Sequence, residues 1–311
     1  MSKIKDGVIG HAIGDAMGVP VEFCIREKLL EHPVTTMKGY GSHPVPEGTW
    51  SDDTSMEIAT IDSIINKKGL DYKDIMMNFY YWLKEAKYTP HGEVFDAGRT
   101  CIQSIINFSK GYEIDECGQK DINSNGNGSL MRILPIAYYC YYKKIREDEI
   151  YEIVKKASSL THAHEISVLG CYIYINYVLF LLNGKDKLSA YNMVKLVDYS
   201  KFSKESLDVY SRILKDDIKR FNITDIKSSG YVVDTLEASM WVLLNAKDYR
   251  ETIIGAINLG QDTDTIGAIA GSMAGIVYGY DAIPEKWLEK LVKREYLEEL
   301  CDKFEKAITE D

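Results

Sequence analysis

Apolar residues recur at intervals of three and four along most of the chain, the period of a helix buried on one face. Thr54 to Lys67 is a clear case, with Asp53 or Thr54 placed to cap its start and Gly69 just past its end. The same period predicts helices over Ile75 to Lys87, Gly98 to Phe108, Leu130 to Lys144, Asp148 to Leu160, Asp234 to Asn245 and Tyr249 to Leu259. Strictly alternating runs bounded by turn residues are nearly absent, which argues against a sheet-based fold. The stretch from Asn183 to Ser229 is the most polar and lysine-rich, and reads as a peripheral helical insertion. With only 7 prolines and no Gly/Ser tract, no linker marks a boundary, so the expectation is one all-α domain over residues 1–311.

Two predicted helices carry glycine at every fourth position: Gly10, Gly14 and Gly18 near the start, and Gly267, Gly271, Gly275 and Gly279 near the end. This spacing aligns the glycines into a ridge without side chains, which lets another backbone approach closely. Each glycine costs roughly 1 kcal/mol of helix propensity relative to alanine, so the ridge requires compensating packing. A membrane-dimer reading fails because Asp262 and Asp264 adjoin a helix too short to span. The two helices are therefore expected to form the tight centre of the domain. Ile166 to Leu182 is apolar enough to suggest a membrane span, but its 17 residues are the short limit and Asn176 interrupts it. No other segment repeats that signal, which favours a buried central helix.

Composition narrows the function classes. Lys and Arg total 37 against 47 Asp and Glu, a net charge of −10, and hydrophobic residues make up 45%, so disorder is excluded. The acidic balance, with no stretch interleaving basic and aromatic residues, argues against a nucleic-acid partner and fits a small or cationic substrate better. The six cysteines are scattered without a Cys-x-x-Cys spacing, and the amino terminus lacks a continuous apolar core. Reduced thiols in a cytoplasmic, membrane-free protein are expected.

Carboxylates concentrate beside apolar or glycine-rich sequence in three places: Glu22 in GDAMGVPVEF, the run Ser51-Asp52-Asp53-Thr54, and the run Asp262-Thr263-Asp264-Thr265. Any one of these alone reads as a helix cap, since these residue types stabilise helix starts. A cap needs a single acceptor, however, and two acids plus a hydroxyl, placed twice, supply more negative charge than capping uses. Adjacent acids repel, more so when buried, unless a cation neutralises them. The all-oxygen donor set suits Mg²⁺ or Mn²⁺ over zinc, and four or five carboxylates match two ions better than one. Calcium loops are rejected: a frame from Asp262 puts Met273 at the twelfth position, and one from Asp121 puts Arg132 there, where a bidentate Glu belongs.

Two further signals stay open. The loop from Asn123 to Ser129, leading into an apparent helix at Leu130, is either a plain turn or a cradle of backbone amides for an anion. His162 and His164 in LTHAHE could be ligands, stacking groups or a satisfied helix terminus.

Taken in order, the segments GHAIGDAMGVPVEF, GTWSDDTSM, NGNGSLMRILPIA, LTHAHE, SGYVVDTLEASMW and NLGQDTDTIGAIAGSMAGIVYG resemble the ADP-ribosylglycohydrolase family. The resemblance runs from about residue 7 to residue 280 in family order. It implies an all-helical domain with two Mg²⁺ ions, or Mn²⁺, at the bottom of a cleft. By position it implies Ser51, Asp52, Asp53, Asp262, Asp264 and Thr265 as metal ligands, with Asp264 bridging. Ser51 stands where the family usually has Thr, and keeps the hydroxyl. Glu22, Asp53, Asp264 and Asp96 (in VFDAG) are the implied catalytic acids. The amides of Gly126, Asn127, Gly128, Ser129 and Leu130 match the diphosphate loop, and His162 matches a residue lining the ADP-ribose cleft. The implied activity is release of ADP-ribose from a modified protein side chain by a monomer, with N-linked arginine favoured by the acidic chain. Alternatives are a catalytically silent ADP-ribose-binding or structural member, and a hydrolase of another N- or O-ribosyl compound.

Overall fold

A computed structural model describes residues 2–310. Helices account for 65% of the chain, and among the described residues no sheet forms. Isolated bridges link Gln119 to His162 and Gly126 to Tyr231.

The helices Lys3–Gly18 and Thr263–Tyr278 have no polar face and lie against each other, antiparallel, at the centre of the domain. Their glycines make this possible. A Cβ placed on Gly14 would come within 1.9 Å of the Gly267 carbonyl oxygen, and one on Gly271 within 2.3 Å of the Gly10 oxygen. Gly275 faces the Asp6 carbonyl and Gly18 faces the backbone of Asp264. Gly279 departs from the expected ridge: it ends the second helix at φ 85° with open space around it. Four-residue spacing alone does not show where a helix stops, and a positive φ is the other common use of glycine.

Helices Val232–Asn245 and Tyr249–Ile257 pack on the Thr263–Tyr278 helix, while Arg294–Thr309 covers Lys3–Gly18 and Asp52–Lys67. The apolar helix Glu165–Leu182 is long and apolar enough to cross a membrane, but 83% of it is buried within the molecule. It is surrounded by Leu134–Tyr142, Glu147–Ser159, Lys187–Val194 and Val232–Asn245. Asn176 is satisfied locally, its Nδ2 donating to the Tyr172 carbonyl at 2.8 Å.

Between residues 183 and 229 the chain forms three short helices and two 3-10 turns. Buried Tyr191 and Tyr210 tie this region down, Tyr210 Oη donating to the Ile166 carbonyl at 2.9 Å.

Two helix starts differ from expectation. Ser51, rather than Asp53 or Thr54, caps the Asp52–Lys67 helix, its hydroxyl accepting from the Asp53 amide at 3.3 Å, and Lys68 rather than Gly69 takes the left-handed turn at its end. The helix expected from Leu130 begins at Leu134, with Pro135 in its first turn. Residues 127–131 are held in turns, with the Met131 amide donating to Asn127 O at 3.0 Å.

Candidate functional site

Because the two central helices are antiparallel, the end of the first meets the start of the second, and the acidic segments collect there. Asp15, on the first helix, aims its carboxylate at the start of the Asp52–Lys67 helix. It accepts from the Ser51 amide at 2.9 Å, the Thr54 amide at 3.1 Å and the Thr54 hydroxyl at 2.6 Å. Capping of that helix is thus done by Ser51 and Asp15, which leaves the side chains of Asp52 and Asp53 free of that task. At the other corner, Asp262 precedes the Thr263–Tyr278 helix without capping it. Its Oδ2 instead accepts from Asn127 Nδ2 at 2.8 Å.

The two corners converge. Thr265 Oγ1 lies 3.5 Å from Asp53 Oδ1, although the residues are 212 apart in sequence. Glu22, Asp262 and Asp264 each offer a carboxylate oxygen within 4.8 Å of the others, and Glu22 and Asp96 lie equally close to a ring nitrogen of His43. Glu22 is carried there by a backbone zipper: the Phe23 amide donates to Gln261 O at 2.6 Å, and the Gln261 amide to Cys24 O at 2.8 Å. Phe23 and Gln261 take positive φ in these turns, as Asp96 does in its own loop. Asp53, Asp262, Asp264, Glu22 and Asp96 therefore collect around one centre, with Asp52 close enough to feel the charges of Asp96 and Glu22.

Its electrostatics are strained. Burial, then repulsion from neighbouring acids, pushes Asp52, Asp53 and Asp264 well above the usual carboxylate range. Burial raises Asp96 as well. Burial also brings Asp15 up to about 7, against the pull of its hydrogen bonds. Glu22 rises to about 7, chiefly by burial, although His43 Nε2 contacts its carboxylate at 2.5 Å. That bond in turn raises His43. Asp53 Oδ2 and both oxygens of Asp264 are buried without a hydrogen-bond partner. Orphaned, hard, anionic oxygens fit divalent cations of the Mg²⁺ or Mn²⁺ type.

The glycine loop borders this centre. The Asn127 amide is committed to the Gly230 carbonyl at 3.0 Å, while among the described residues no acceptor engages the amides of Gly126, Gly128, Ser129 and Leu130. His162 packs on the loop, 2.8 Å (Cε1) from where a Gly128 Cβ would stand. His164 faces elsewhere: it caps the Glu165–Leu182 helix and contacts Asn125 Nδ2 at 3.0 Å.

Asp15, His43 and the Asn127 side chain escaped the sequence reading. Asp15 alone carried a signal, as an acid next to the ridge glycine Gly14 in a largely apolar helix.

An all-helical scaffold thus drives two acidic helix starts together beside a glycine loop with free amides, and the result is an oxygen-lined centre. A family model described as ADP-ribosylglycohydrolase matches residues 1–311. The ADP-ribosylarginine hydrolase Tri1 of Serratia proteamaculans is 31% identical, over 98% of this chain and 79% of its own length. The ADP-ribosyl-(dinitrogen reductase) glycohydrolase of Rhodospirillum rubrum is 28% identical, over 91% and 88%. A solved ADP-ribosylglycohydrolase-related protein complex superposes with a TM-score of 0.83 at 26% identity, covering 98% of both chains. The chain belongs to the ADP-ribosylglycohydrolase family.

Proposed function

We propose that this chain removes ADP-ribose from a modified protein side chain, with N-linked arginine as the acceptor and two Mg²⁺ or Mn²⁺ ions as cofactors. Ser51, Asp52, Asp53, Asp262, Asp264 and Thr265 would hold the ions. The observation that carries the reading is the meeting of two distant acidic corners with buried, unpartnered oxygens on Asp53 and Asp264. When bound, the ions would orient ribose hydroxyls and lower the pKa of a bound water.

The chain's own residues supply the rest. Cleavage at the ribose anomeric carbon builds positive charge, which carboxylates at Glu22 and Asp96 stabilise. Glu22, whose pKa is brought to about 7, can also hold or release a proton at neutral pH. A departing guanidinium is a cation, and this rim is acidic. The free amides of Gly126, Gly128, Ser129 and Leu130 suit the diphosphate, since backbone N–H groups in a turn attract phosphate oxygens. Both curated relatives named above act, by name, on ADP-ribosylated targets, one on arginine.

The test is release of ADP-ribose from arginine-, serine- and glutamate-ADP-ribosylated proteins, with and without chelator. Turnover is expected on the arginine linkage, abolished by chelation and restored by Mg²⁺ or Mn²⁺. Equal turnover after chelation, or in Asp262→Ala and Asp264→Ala, would sink the proposal. Binding of ADP-ribose without any hydrolysis would identify a silent binding protein instead.

A further inference from the structure

Arg132 is 1% exposed and has no carboxylate partner among the described residues. Its Nη2 donates to the Ala157 carbonyl at 3.2 Å and to Thr161 Oγ1 at 2.8 Å, its guanidinium carbon lies 4.7 Å from the Phe79 ring centroid, and its Nε has no partner. Burial lowers its pKa only to about 10, so it stays cationic at neutral pH. A guanidinium can only donate, so Thr161 Oγ1 must accept from it and retains one proton to give.

The same hydroxyl lies 2.9 Å from His162 Nδ1. Burial, aided by the charge of Arg132, lowers His162 to about 3, so the ring is neutral and carries one N–H. Two tautomers are then possible. With the proton on Nδ1, that N–H would point at an oxygen already bonded to a cation, and the threonine proton would have no acceptor among the described residues. With the proton on Nε2, Arg132 donates to Thr161 and Thr161 donates to His162, each to an acceptor of full strength. Chains of this kind reinforce one another in a low-dielectric interior.

We propose that Arg132 and Thr161 are positioning residues that fix His162 in the Nε2–H tautomer, so that it presents a hydrogen-bond donor to an anionic phosphate oxygen seated on the 126–130 loop. His162 is 2% exposed, and among the described residues its Nε2 has no hydrogen-bond partner. That atom lies 3.7 Å and 3.4 Å from the positions that Cβ atoms on Gly126 and Gly128 would take. The backbone around it is pinned: Ser158 Oγ donates to the His162 carbonyl at 2.9 Å, and the Gln119 amide to the Thr161 carbonyl at 2.9 Å. The ring therefore has little freedom to choose another partner. Identifying the phosphate as that of ADP-ribose rests on the function proposed above; the tautomer does not.

The test separates these two parts. Long-range ¹H–¹⁵N correlation on the ¹⁵N-histidine-labelled full chain, without ligand, should show His162 Nδ1 as a bare acceptor and Nε2 as protonated. Thr161→Val, nearly isosteric, should abolish that preference, and Thr161→Ser should restore it. With ADP-ribose as the probe in calorimetry, Thr161→Val should weaken binding about 10-fold, as for loss of a hydrogen bond to a charged group. Thr161→Ser should stay within about twofold of wild type. In turnover, Thr161→Val should raise KM and leave kcat within about twofold. A wild-type ring protonated on Nδ1, or a Thr161→Val protein with unchanged tautomer and unchanged affinity, would overturn the proposal. A wild-type ring in the Nε2–H form with no affinity for ADP-ribose would support the tautomer assignment and overturn the functional reading.

Discussion

Replacing Gly271 by alanine sets two effects of opposite sign against each other. In an isolated helix alanine is favoured over glycine by about 1 kcal/mol, so propensity alone predicts a gain. In this fold the new Cβ would stand 2.3 Å from the Gly10 carbonyl oxygen, whereas ordinary contact begins at 3.4 Å. The shortfall is 3.4 − 2.3 = 1.1 Å, and the obstacle is backbone on the facing helix, which cannot swing aside like a side chain. The helices must part by about that distance, which loosens the neighbouring Gly14–Gly267 contact too. Overpacking of this kind costs about 1–3 kcal/mol, occasionally more, and a backbone obstacle places it at the upper end. The net expectation is a loss of about 2 kcal/mol. With an unfolding entropy of ~2.1 cal/mol/K per residue over 311 residues, the slope is about 0.65 kcal/mol/K, so Tm should fall by about 3 °C. Thermal denaturation followed by circular dichroism reads this directly. Gly98→Ala is the control, since its φ is ordinary and a Cβ there meets nothing within 4 Å. Substrate turnover should fall in the Gly271 variant as well, because the same helix pair sets Gly18 against the backbone of Asp264. A Gly271→Ala protein as stable as wild type or more so would refute the close-packed centre.

Three other outcomes follow from the site. Asp264→Asn removes a buried charge without changing shape, so turnover should drop on the order of 10²-fold or more while the chelated protein melts no lower than wild type; a lower Tm in chelator would contradict the repulsion inferred there. The pH dependence has a definite sign. Asp15 titrates near 7 when folded, against 3.8 ordinarily, so between those values the folded chain holds a proton that the unfolded chain has released. Stability of the chelated protein should therefore fall as pH rises through that window, and Mg²⁺ or Mn²⁺ should raise Tm more at pH 7.5 than at pH 5.5; equal increments at both pH values would count against the cluster as the cation site. Asn127→Ala deprives Asp262 of its donor and should weaken divalent-cation affinity roughly 10–100-fold in titration calorimetry, with unchanged affinity excluding an orienting role.

What was legible in the sequence is what local pattern encodes. Helical period located most elements, and the glycine spacing identified Lys3–Gly18 and Thr263–Tyr278 as the packed pair. Where the reading slipped, the determining contact was distant. Leu130 to Ile133 carry helical periodicity, yet these residues are held in turns by contacts at Asn127 and by the fixed entry of Pro135. His43 is one histidine in a loop until the fold sets it 2.5 Å from Glu22. Arg132 looks like an exposed helix residue, and only the tertiary structure buries it behind Thr161.

The acidic corners are the instructive case, because capping and cation binding call for the same residue types at the same helix position. Sequence cannot divide them; partner assignment can. The Asp52–Lys67 helix already has its acceptors in Ser51 and in Asp15, which reaches across from another helix. Asp262 gives an oxygen to Asn127 rather than to its own helix. Once those bonds are assigned, Asp53 Oδ2 and both oxygens of Asp264 remain buried with no donor. Leaving such groups ionised and unpaired in the interior is too costly for a fold to tolerate, so they must either bind protons or bind cations. Protonation would silence the acids at neutral pH. A pair of hard cations, as proposed above, would keep them charged, and the residues that strain the unliganded centre would then be the ones that hold the ions.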